Sequence, residues 1–153
     1  MSTVVCDASP LIALDQIARL DLLGTIFGNV LIPPAVARET PGVERPSWIL
    51  ERGLAKPLAP AVTRAGLGAG ESEAISLALE LSADHVVIDE LAGRTLARHL
   101  GIPLIGTLGI LLVAKRRTLI PAIRGPIDTL RGRGFRVAAD LYEEMLRRAG
   151  ELT

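Results

Sequence analysis

The sequence predicts an α/β fold, a three-layer α/β/α sandwich with a mainly parallel central sheet of about four to five strands. Short apolar runs that are rich in β-branched residues alternate with longer segments of helical periodicity, as in parallel strands joined by helices. The 153 residues are enough for one domain with a substantial core. Apolar residues make up 49% of the chain and charged residues 22%, as in ordinary globular proteins.

The alternation begins with a short apolar strand that Asp7 ends, followed by a helix in which Pro10 suits the first turn. Up to residue 40, the predicted elements are a strand at 3–6, a helix that Asp7 begins and that runs through Ile17, a helix over about 20–27, a strand at 30–32 and a helix through Val36 and Glu39. Beyond residue 70, they are a helix over 71–81, a strand at 86–88, a helix over 90–100, a strand at 102–105, a helix from Thr107 to Arg117 and helical segments near 121–132 and 138–149.

The least regular part of the chain is residues 41–70. Within it, we predict a short helix in residues 46–53, an extended turn at 56–60 and a glycine-rich loop at 66–70. No linker divides the sequence, so we expect one domain over residues 1–153, with an Arg-rich helical part from about residue 115.

The composition also predicts where the protein resides. The single cysteine excludes an internal disulfide framework and suits a reducing compartment. No apolar run reaches the roughly 18 residues of a transmembrane helix. The first seven residues lack a basic segment, so we expect no secretory signal. We therefore expect a cytoplasmic protein without membrane contact.

The charges are unevenly distributed, although the formal net charge is zero. Residues 1–93 contain 12 acidic and six basic side chains, whereas residues 94–148 contain 11 basic and four acidic ones. Of the 17 basic residues, 15 are Arg, which suits bidentate contacts to phosphate. A nucleic-acid partner and a compositional bias toward Arg both account for this distribution.

Several acidic residues lie at the carboxyl ends of predicted strands or near the start of helices. They are Asp7 after the first strand, Glu71 and Glu73 at the helix after the glycine-rich loop, and Asp89 and Glu90 after the third strand, and Glu39 lies on the helix that follows the second strand. Ligands bind at the carboxyl ends of strands in open parallel sheets, and crowded carboxylates favour a cation such as Mg²⁺ or Mn²⁺. Such an ion can activate water for phosphodiester hydrolysis. Helix capping and surface exposure are the alternative explanation for each acid taken singly.

Five short stretches resemble, in order and spacing, the motifs of PIN domains, in particular short prokaryotic PIN-like proteins related to VapC toxins. The stretches are residues 4–12, 33–39, 70–78, 86–90 and 101–109, which together extend over about residues 3–125. The resemblance implies a PIN-like, Rossmann-like fold and an endoribonuclease that uses Mg²⁺ or Mn²⁺. It also implies a role as the toxin of a toxin–antitoxin pair, with RNA as substrate and an antitoxin protein as partner.

The resemblance extends to individual acids. Asp7 matches the first acid of the family, Glu39 the second and Asp89 the later aspartate. The third acid is commonly Asp, and here either Glu71, which comes first in the helix, or Glu73 matches it. The implied catalytic residues are Asp7, Glu39, Glu71 and Asp89, and Glu73 is a further candidate metal ligand. The implied supporting residues are Ser9, Glu90 and Thr107.

Basic residues that follow Asp89 are candidates for RNA binding. Arg94 and Arg98 lie one turn apart on the predicted helix, although Arg94 is also placed to pair with Glu90. Residues 115–136 contain seven bases, which include Lys115, Arg116 and Arg117, and a single acid. A solvated face, or a surface for an acidic protein, explains this basic segment equally well.

Two further expectations concern assembly and activity. PIN-like proteins commonly form homodimers, and the apolar helices between Leu11 and Phe27 supply either such a surface or part of the core. A non-catalytic module that binds nucleic acid or protein is the alternative to the ribonuclease, and it is favoured by Glu at the position of the third acid.

Overall fold

Five short strands form the sheet at the centre of the fold. In this computed structural model, which describes residues 2–152, they are β1 (Val4–Cys6), β2 (Val30–Ile32), β3 (Ile49–Glu51), β4 (His85–Val87) and β5 (Leu104–Ile105). Their order in the sheet is β3-β2-β1-β4-β5, and every pairing is parallel. The predicted parallel sheet is therefore confirmed, with five strands.

Helices cover both faces of this sheet. They are α1 (Ala8–Gln16), α2 (Asp21–Phe27), α3 (Pro34–Glu39), α4 (Pro60–Ala65), α5 (Ala69–Glu80), α6 (Leu91–His99), α7 (Thr107–Arg116), α8 (Arg124–Gly132) and α9 (Ala139–Arg148). Helix α5 contacts α3, α4 and α6 and packs on the central strands β1 and β4. Helices α1 and α2 contact α7, which also contacts α9. The predicted α/β/α layering is confirmed.

The central strand is completely buried, which explains its sequence. Val4, Val5 and Cys6 have no exposed surface, because helices cover the strand on both faces and neighbouring strands on both edges. Cys6 is thus a small residue of the core. Prolines begin two of the helices, since Pro34 and Pro60 occupy first-turn positions that need no backbone N–H.

The strand order reverses direction at β1. The chain leaves β1 to form β2 and β3 on one side, and it returns to form β4 and β5 on the other. In sheets of this kind, the crevice for a ligand opens at the carboxyl ends of the strands where the order reverses. Asp7 comes directly after β1, and Asp89 comes two residues after β4, so both acids lie at this crevice.

Part of residues 41–70 differs from the prediction. The short helix predicted in residues 46–53 is wrong, because residues 49–51 form the edge strand β3 beside β2. The N–H of Val30 donates to the carbonyl of Trp48, and the N–H of Arg52 donates to that of Ile32. Pairing with an existing strand thus overrides the weak helical preference of a short segment.

Two further boundaries also differ from the prediction. Helix α4 (Pro60–Ala65) begins at the end of the predicted extended turn, in residues for which no element was predicted, and α5 begins at Ala69 inside the predicted glycine-rich loop. Gly66 ends α4 in a left-handed conformation with φ +66°, which glycine adopts without strain. The loop between the two helices is consequently only three residues long, Gly66–Gly68.

The apolar helices near the start of the chain belong to the core. Leu11 and Leu14 of α1 and Leu22 and Leu23 of α2 are at most 1% exposed. These four side chains therefore offer no surface to a second copy, whereas other apolar residues of the same segment are only partly buried. The homodimer stays a prediction. In the part of the chain that the structure describes, none of the helices combines the length and apolar character of a membrane span.

A tight contact between α2 and the segment before β3 generates a prediction about stability. A Cβ atom at Gly24 would lie 2.7 Å from Cε2 of Trp48. Although Ala normally stabilises a helix relative to Gly, we predict that Gly24→Ala lowers the free energy of unfolding by about 1–3 kcal/mol, because the added methyl group overpacks the site. Chemical denaturation measures this change.

The matched control is Gly125→Ala in α8, where a Cβ atom meets no other atom within 4 Å. This variant should be as stable as the wild type or more stable. A Gly24→Ala protein that gains stability as the control does would contradict the contact with Trp48.

Candidate active site at the carboxyl edge of the sheet

Asp7 is a buried carboxyl group at the end of the central strand. Its side chain is 2% exposed, and its backbone N–H donates to the carbonyl of Val87 at a distance of 2.9 Å. The residue occupies the N-cap position of α1, but its side chain makes no capping hydrogen bond there. A simple cap therefore does not explain why an acid is buried at this position.

The surroundings of Asp7 disfavour its negative charge. The pKa of this carboxyl group is raised from 3.8 to about 7. Burial is the largest cause, the N–H of Ala8 opposes the shift, and the negative charges of Glu71, Glu39 and Glu90 contribute to it. The fold thus concentrates carboxylates around a group that has little solvent to stabilise its charge. A cation bound at this place would relieve the repulsion.

Glu71 lies in the first turn of α5 and belongs to this cluster. Its Oε2 atom is buried and has no hydrogen-bond partner. Burial is the largest cause that raises the pKa of Glu71, and Glu90 and Glu39 add to it. An unpartnered buried oxygen is costly for a fold, and it is a ready ligand position for a cation.

Glu39, at the end of α3, approaches the backbone of α5. Its Oε1 atom accepts a hydrogen bond of 3.0 Å from the N–H of Gly70. A Cβ atom at Gly70 would lie 2.9 Å from the carboxyl carbon of Glu39, and one at Gly93 would lie 2.6 Å from Oε2 of Glu71. The two glycines therefore leave the space that these carboxylates occupy, a role that the sequence prediction did not assign to them.

Asp89 is held firmly by Thr107 at the start of α7. The N–H of Thr107 donates to Oδ1 and its hydroxyl group to Oδ2, both at 2.7 Å. Burial raises the pKa of Asp89, although these hydrogen bonds and the nearby Arg94 oppose the shift. The expected supporting role of Thr107 thus has a concrete contact, which sets the orientation of the carboxylate.

The other residues near Asp89 have different environments. Arg94 is half-buried and donates from Nη1 to the carbonyl of Ile88 at 3.0 Å, and Glu90 is not among the charges that shift its pKa. Burial lowers the pKa of Arg94, and the charge of the exposed Arg98 adds to this effect. Glu90 is exposed, and Ser9 lines the same cleft as Asp89.

Glu73 faces away from this cluster. Its Oε1 atom accepts a hydrogen bond of 3.0 Å from the N–H of Ala35 in the first turn of α3, and its Oε2 atom lies 4.0 Å from Nη2 of Arg38. These contacts explain Glu73 as a link between α5 and α3. Of the two candidates for the third acid, the geometry brings Glu71 to Asp7.

The basic residues predicted near residue 115 lie far from the acids. Helix α7 begins at Thr107 beside Asp89 and ends at Arg116, so its ends are about 15 Å apart along the axis. The ammonium group of Lys115 contacts Oε2 of Glu151 at 2.9 Å, which ties α7 to the C-terminal segment. Arg116 and Arg117 are exposed at the same remote end.

The acids do not form a complete metal site by themselves. Among residues 2–152, no three His, Cys, Asp or Glu side chains converge closely enough to hold an ion together. Hydrogen bonds from Gly70 and Thr107 already engage Glu39 and Asp89. Asp7 and Glu71 are therefore the carboxylates that the structure leaves most in need of a partner.

A large cleft adjoins the acids and was not predicted from the sequence. It has a volume of about 1110 Å³ and extends from Asp89 and Glu90 to α9. Its walls include Phe135, Arg136 and Arg148, which are distant from the acids in the sequence. Of the two arginines, only Arg136 lies in the basic segment that the sequence singles out, and no local pattern connects the three residues with Asp89.

The buried carboxyl group of Asp7 predicts an unusual dependence of stability on pH in metal-free protein. Asp7 retains its proton to a pH of about 7 in the folded state, whereas it ionises near 3.8 when unfolded. The folded state therefore binds more protons between these pH values, and its stability falls as the pH rises through this window. The loss that Asp7 contributes is at most about 4 kcal/mol.

The variant Asp7→Asn tests this dependence. Thermal unfolding in EDTA should show that its stability relative to the wild type increases from pH 4 to pH 7 and then stays constant. Asp15→Asn, which changes an exposed carboxyl group, should show no such trend. If the difference in stability between Asp7→Asn and the wild type is constant across this pH range, ionisation of Asp7 does not destabilise the fold.

Comparisons with known proteins identify the family of the fold. A family model described as a PIN domain matches residues 3–151, whereas no curated protein matches the chain. Among solved structures, a PilT N-terminus domain protein from the hyperthermophilic archaeon Sulfolobus solfataricus P2 is similar, with a TM-score of 0.55 and 21% identity over 73% of this chain and 92% of that chain. At this identity, the structural match shows the fold alone. Because the family model covers nearly the whole sequence, the chain belongs to the PIN domain family.

Proposed function

We propose that this protein is a metal-dependent endoribonuclease that cleaves RNA phosphodiester bonds with Mg²⁺ or Mn²⁺. Membership of the PIN domain family supports a nuclease-like fold in general. The observation that carries the proposal is the burial of Asp7 next to Glu71, Glu39 and Glu90, at the edge of the sheet where its strand order reverses. Carboxylates gathered in this way at a crevice are characteristic of functional sites.

The residues at this edge fit a hard divalent cation. Every donor is a carboxylate oxygen, the ligand type that Mg²⁺ and Mn²⁺ prefer. The orphaned Oε2 atom of Glu71 and the destabilised charge of Asp7 would both gain from such an ion. Since Mg²⁺ usually takes only one or two protein carboxylates and keeps several waters, Asp7 and Glu71 form a sufficient minimal ligand set.

The residues around the acids have distinct roles in the proposed hydrolysis of RNA. A bound divalent ion would supply an activated water and offset charge on the phosphate oxygens. Thr107 fixes the direction of the Asp89 carboxylate through two hydrogen bonds, and the Gly70 N–H does the same for Glu39. Arg94 places a guanidinium group beside Asp89, where it can bind a phosphate oxygen of the substrate.

The proposed site leaves out four of the residues that the sequence singles out as candidates. Glu73 and Lys115 have structural partners of their own, and Arg116 and Arg117 lie at the remote end of α7, so none of the four belongs to the proposed site. The toxin role, the antitoxin partner, the homodimer and the cytoplasmic location stay predictions of the sequence and the family resemblance.

A second candidate function is the binding of nucleic acid or protein without catalysis. It is favoured by the incomplete convergence of the acids in the described part of the chain, and by the hydrogen bonds that already satisfy Glu39 and Asp89. Under this alternative, binding of RNA would survive the removal of Asp7 and Asp89, and the wild type would cleave no RNA.

Cleavage of a labelled RNA pool with Mg²⁺ or Mn²⁺ distinguishes the two functions. We predict that the wild type cleaves RNA and that Asp7→Asn and Asp89→Asn each reduce the rate on the order of 100-fold, the scale of losing a preorganised electrostatic group. Addition of EDTA should abolish the wild-type activity. Circular dichroism checks that each variant remains folded.

Glu73→Gln is the matched control for these variants, because its amide oxygen can still accept the hydrogen bond from Ala35. This variant should cleave RNA at nearly the wild-type rate. Equal rates for the wild type, Asp7→Asn and Asp89→Asn would refute the assignment of the acids.

A further inference from the structure

The cleft beside the acids is large and continues away from them. It opens at Asp89 and Glu90 and continues between α6, the start of α7 and α9. Its volume of about 1110 Å³ exceeds the range of about 300–1,000 Å³ that is usual for small-molecule pockets. A polymer that reaches the acids could therefore lie along the cleft on its way to them.

The walls of the cleft combine three arginines, three acidic residues and exposed apolar side chains. Arg94, Arg136 and Arg148 all line it. Leu91 and Leu141 line it as well, although they are 76% and 44% exposed and so contribute little to the core. Guanidinium groups bind phosphates and apolar surfaces contact bases, so both parts of a nucleotide find complementary groups here.

The arginines of the cleft differ in whether their guanidinium groups already contact another residue. Nε of Arg148 lies 3.1 Å from Oε1 of Glu144, and Arg94 donates to the carbonyl of Ile88. Arg136 is exposed and is absent from the hydrogen bonds and ion pairs of residues 2–152. Arg136 is consequently the arginine of the cleft that is free to bind a phosphate without breaking an existing contact.

A well-defined helix end holds Phe135 and Arg136 in place. After α8, the N–H of Gly134 donates to the carbonyl of Arg131, and the N–H of Phe135 donates to that of Leu130. These bonds form a Schellman motif, in which Gly134 adopts the required positive φ of +96°. Phe135, one of only four aromatic residues in the chain, is thus fixed on the wall of the cleft.

We infer that this C-terminal cleft binds single-stranded RNA next to the proposed catalytic acids, with Phe135 stacked on an unpaired base and Arg136 bound to a phosphate. The inference rests on the proposed function, because it takes the substrate of that same site as the occupant of the cleft. A single strand is required, since the ring can reach the face of a base only where the base is not stacked within a duplex. Phe135 and Arg136 take no part in the chemical step; they position the RNA strand in the cleft.

The test is the equilibrium binding of a fluorescent RNA oligonucleotide, measured by anisotropy at several salt concentrations in the presence of Mg²⁺. The full-length Asp7→Asn protein serves as the background, because it should degrade the probe on the order of 100-fold more slowly than the wild type. In this background, Arg136→Ala should weaken binding about three- to tenfold and reduce the salt slope by about 0.7, the value for one phosphate contact to a single strand. Phe135→Leu should weaken binding roughly fivefold or more and leave the salt slope unchanged.

Arg117→Ala is the matched control, since it removes the same charge from the far end of α7. It should change the affinity less than twofold, and a duplex of the same sequence should bind more weakly than the single strand. Equal losses for Arg136→Ala and Arg117→Ala, unchanged binding by Phe135→Leu, preference for the duplex, or no RNA binding would each overturn the inference. No binding of RNA would leave a protein segment as the occupant of the cleft.

The proposed function and this inference fail in different ways. Wild-type protein that cleaves no RNA, together with binding that depends on Arg136 and Phe135, would overturn the nuclease and leave the RNA cleft in place. Cleavage that depends on Asp7, together with RNA binding that does not change in Arg136→Ala and Phe135→Leu, would support the nuclease and overturn the RNA cleft. Thermal unfolding checks that Phe135→Leu, which keeps an apolar side chain against the core, remains folded.

Discussion

The fold does little to stabilise a negative charge on the carboxyl group of Asp7. It sits at the end of the fully buried strand β1, where helices and neighbouring strands exclude most of the water. Helices α3 and α5 bring Glu39 and Glu71 to the same place, and Glu90 follows at the start of α6. Each of these acids adds repulsion, so a proton or a cation stabilises the arrangement.

The rest of the site is organised around this constraint. Gly70 and Gly93 leave room for the carboxylates of Glu39 and Glu71, and Thr107 holds that of Asp89. The positive charges lie one layer further out, in the cleft that runs toward α9. Negative charge at the centre with positive charge along the approach suits a polyanion whose reacting phosphate meets a metal ion. The zero net charge of the chain conceals this separation.

Local patterns predicted those features that depend on neighbours in the sequence. Asp7 and Asp89 could be singled out because each follows an apolar strand directly, and parallel strands end at the same edge. The choice between Glu71 and Glu73 could not be made, since residues two apart on a helix point about 200° apart and only the packing of α5 decides which one faces the sheet. Strand β3 and the cleft were missed for a related reason, because both form through contacts between distant segments.

The most direct test of the metal site is a calorimetric titration of Mn²⁺ into the wild type, Asp7→Asn and Glu73→Gln. We predict that the wild type and Glu73→Gln bind Mn²⁺ with similar affinity, and that Asp7→Asn loses the binding. Tight binding by Asp7→Asn, or a loss confined to Glu73→Gln, would contradict a metal site built around Asp7.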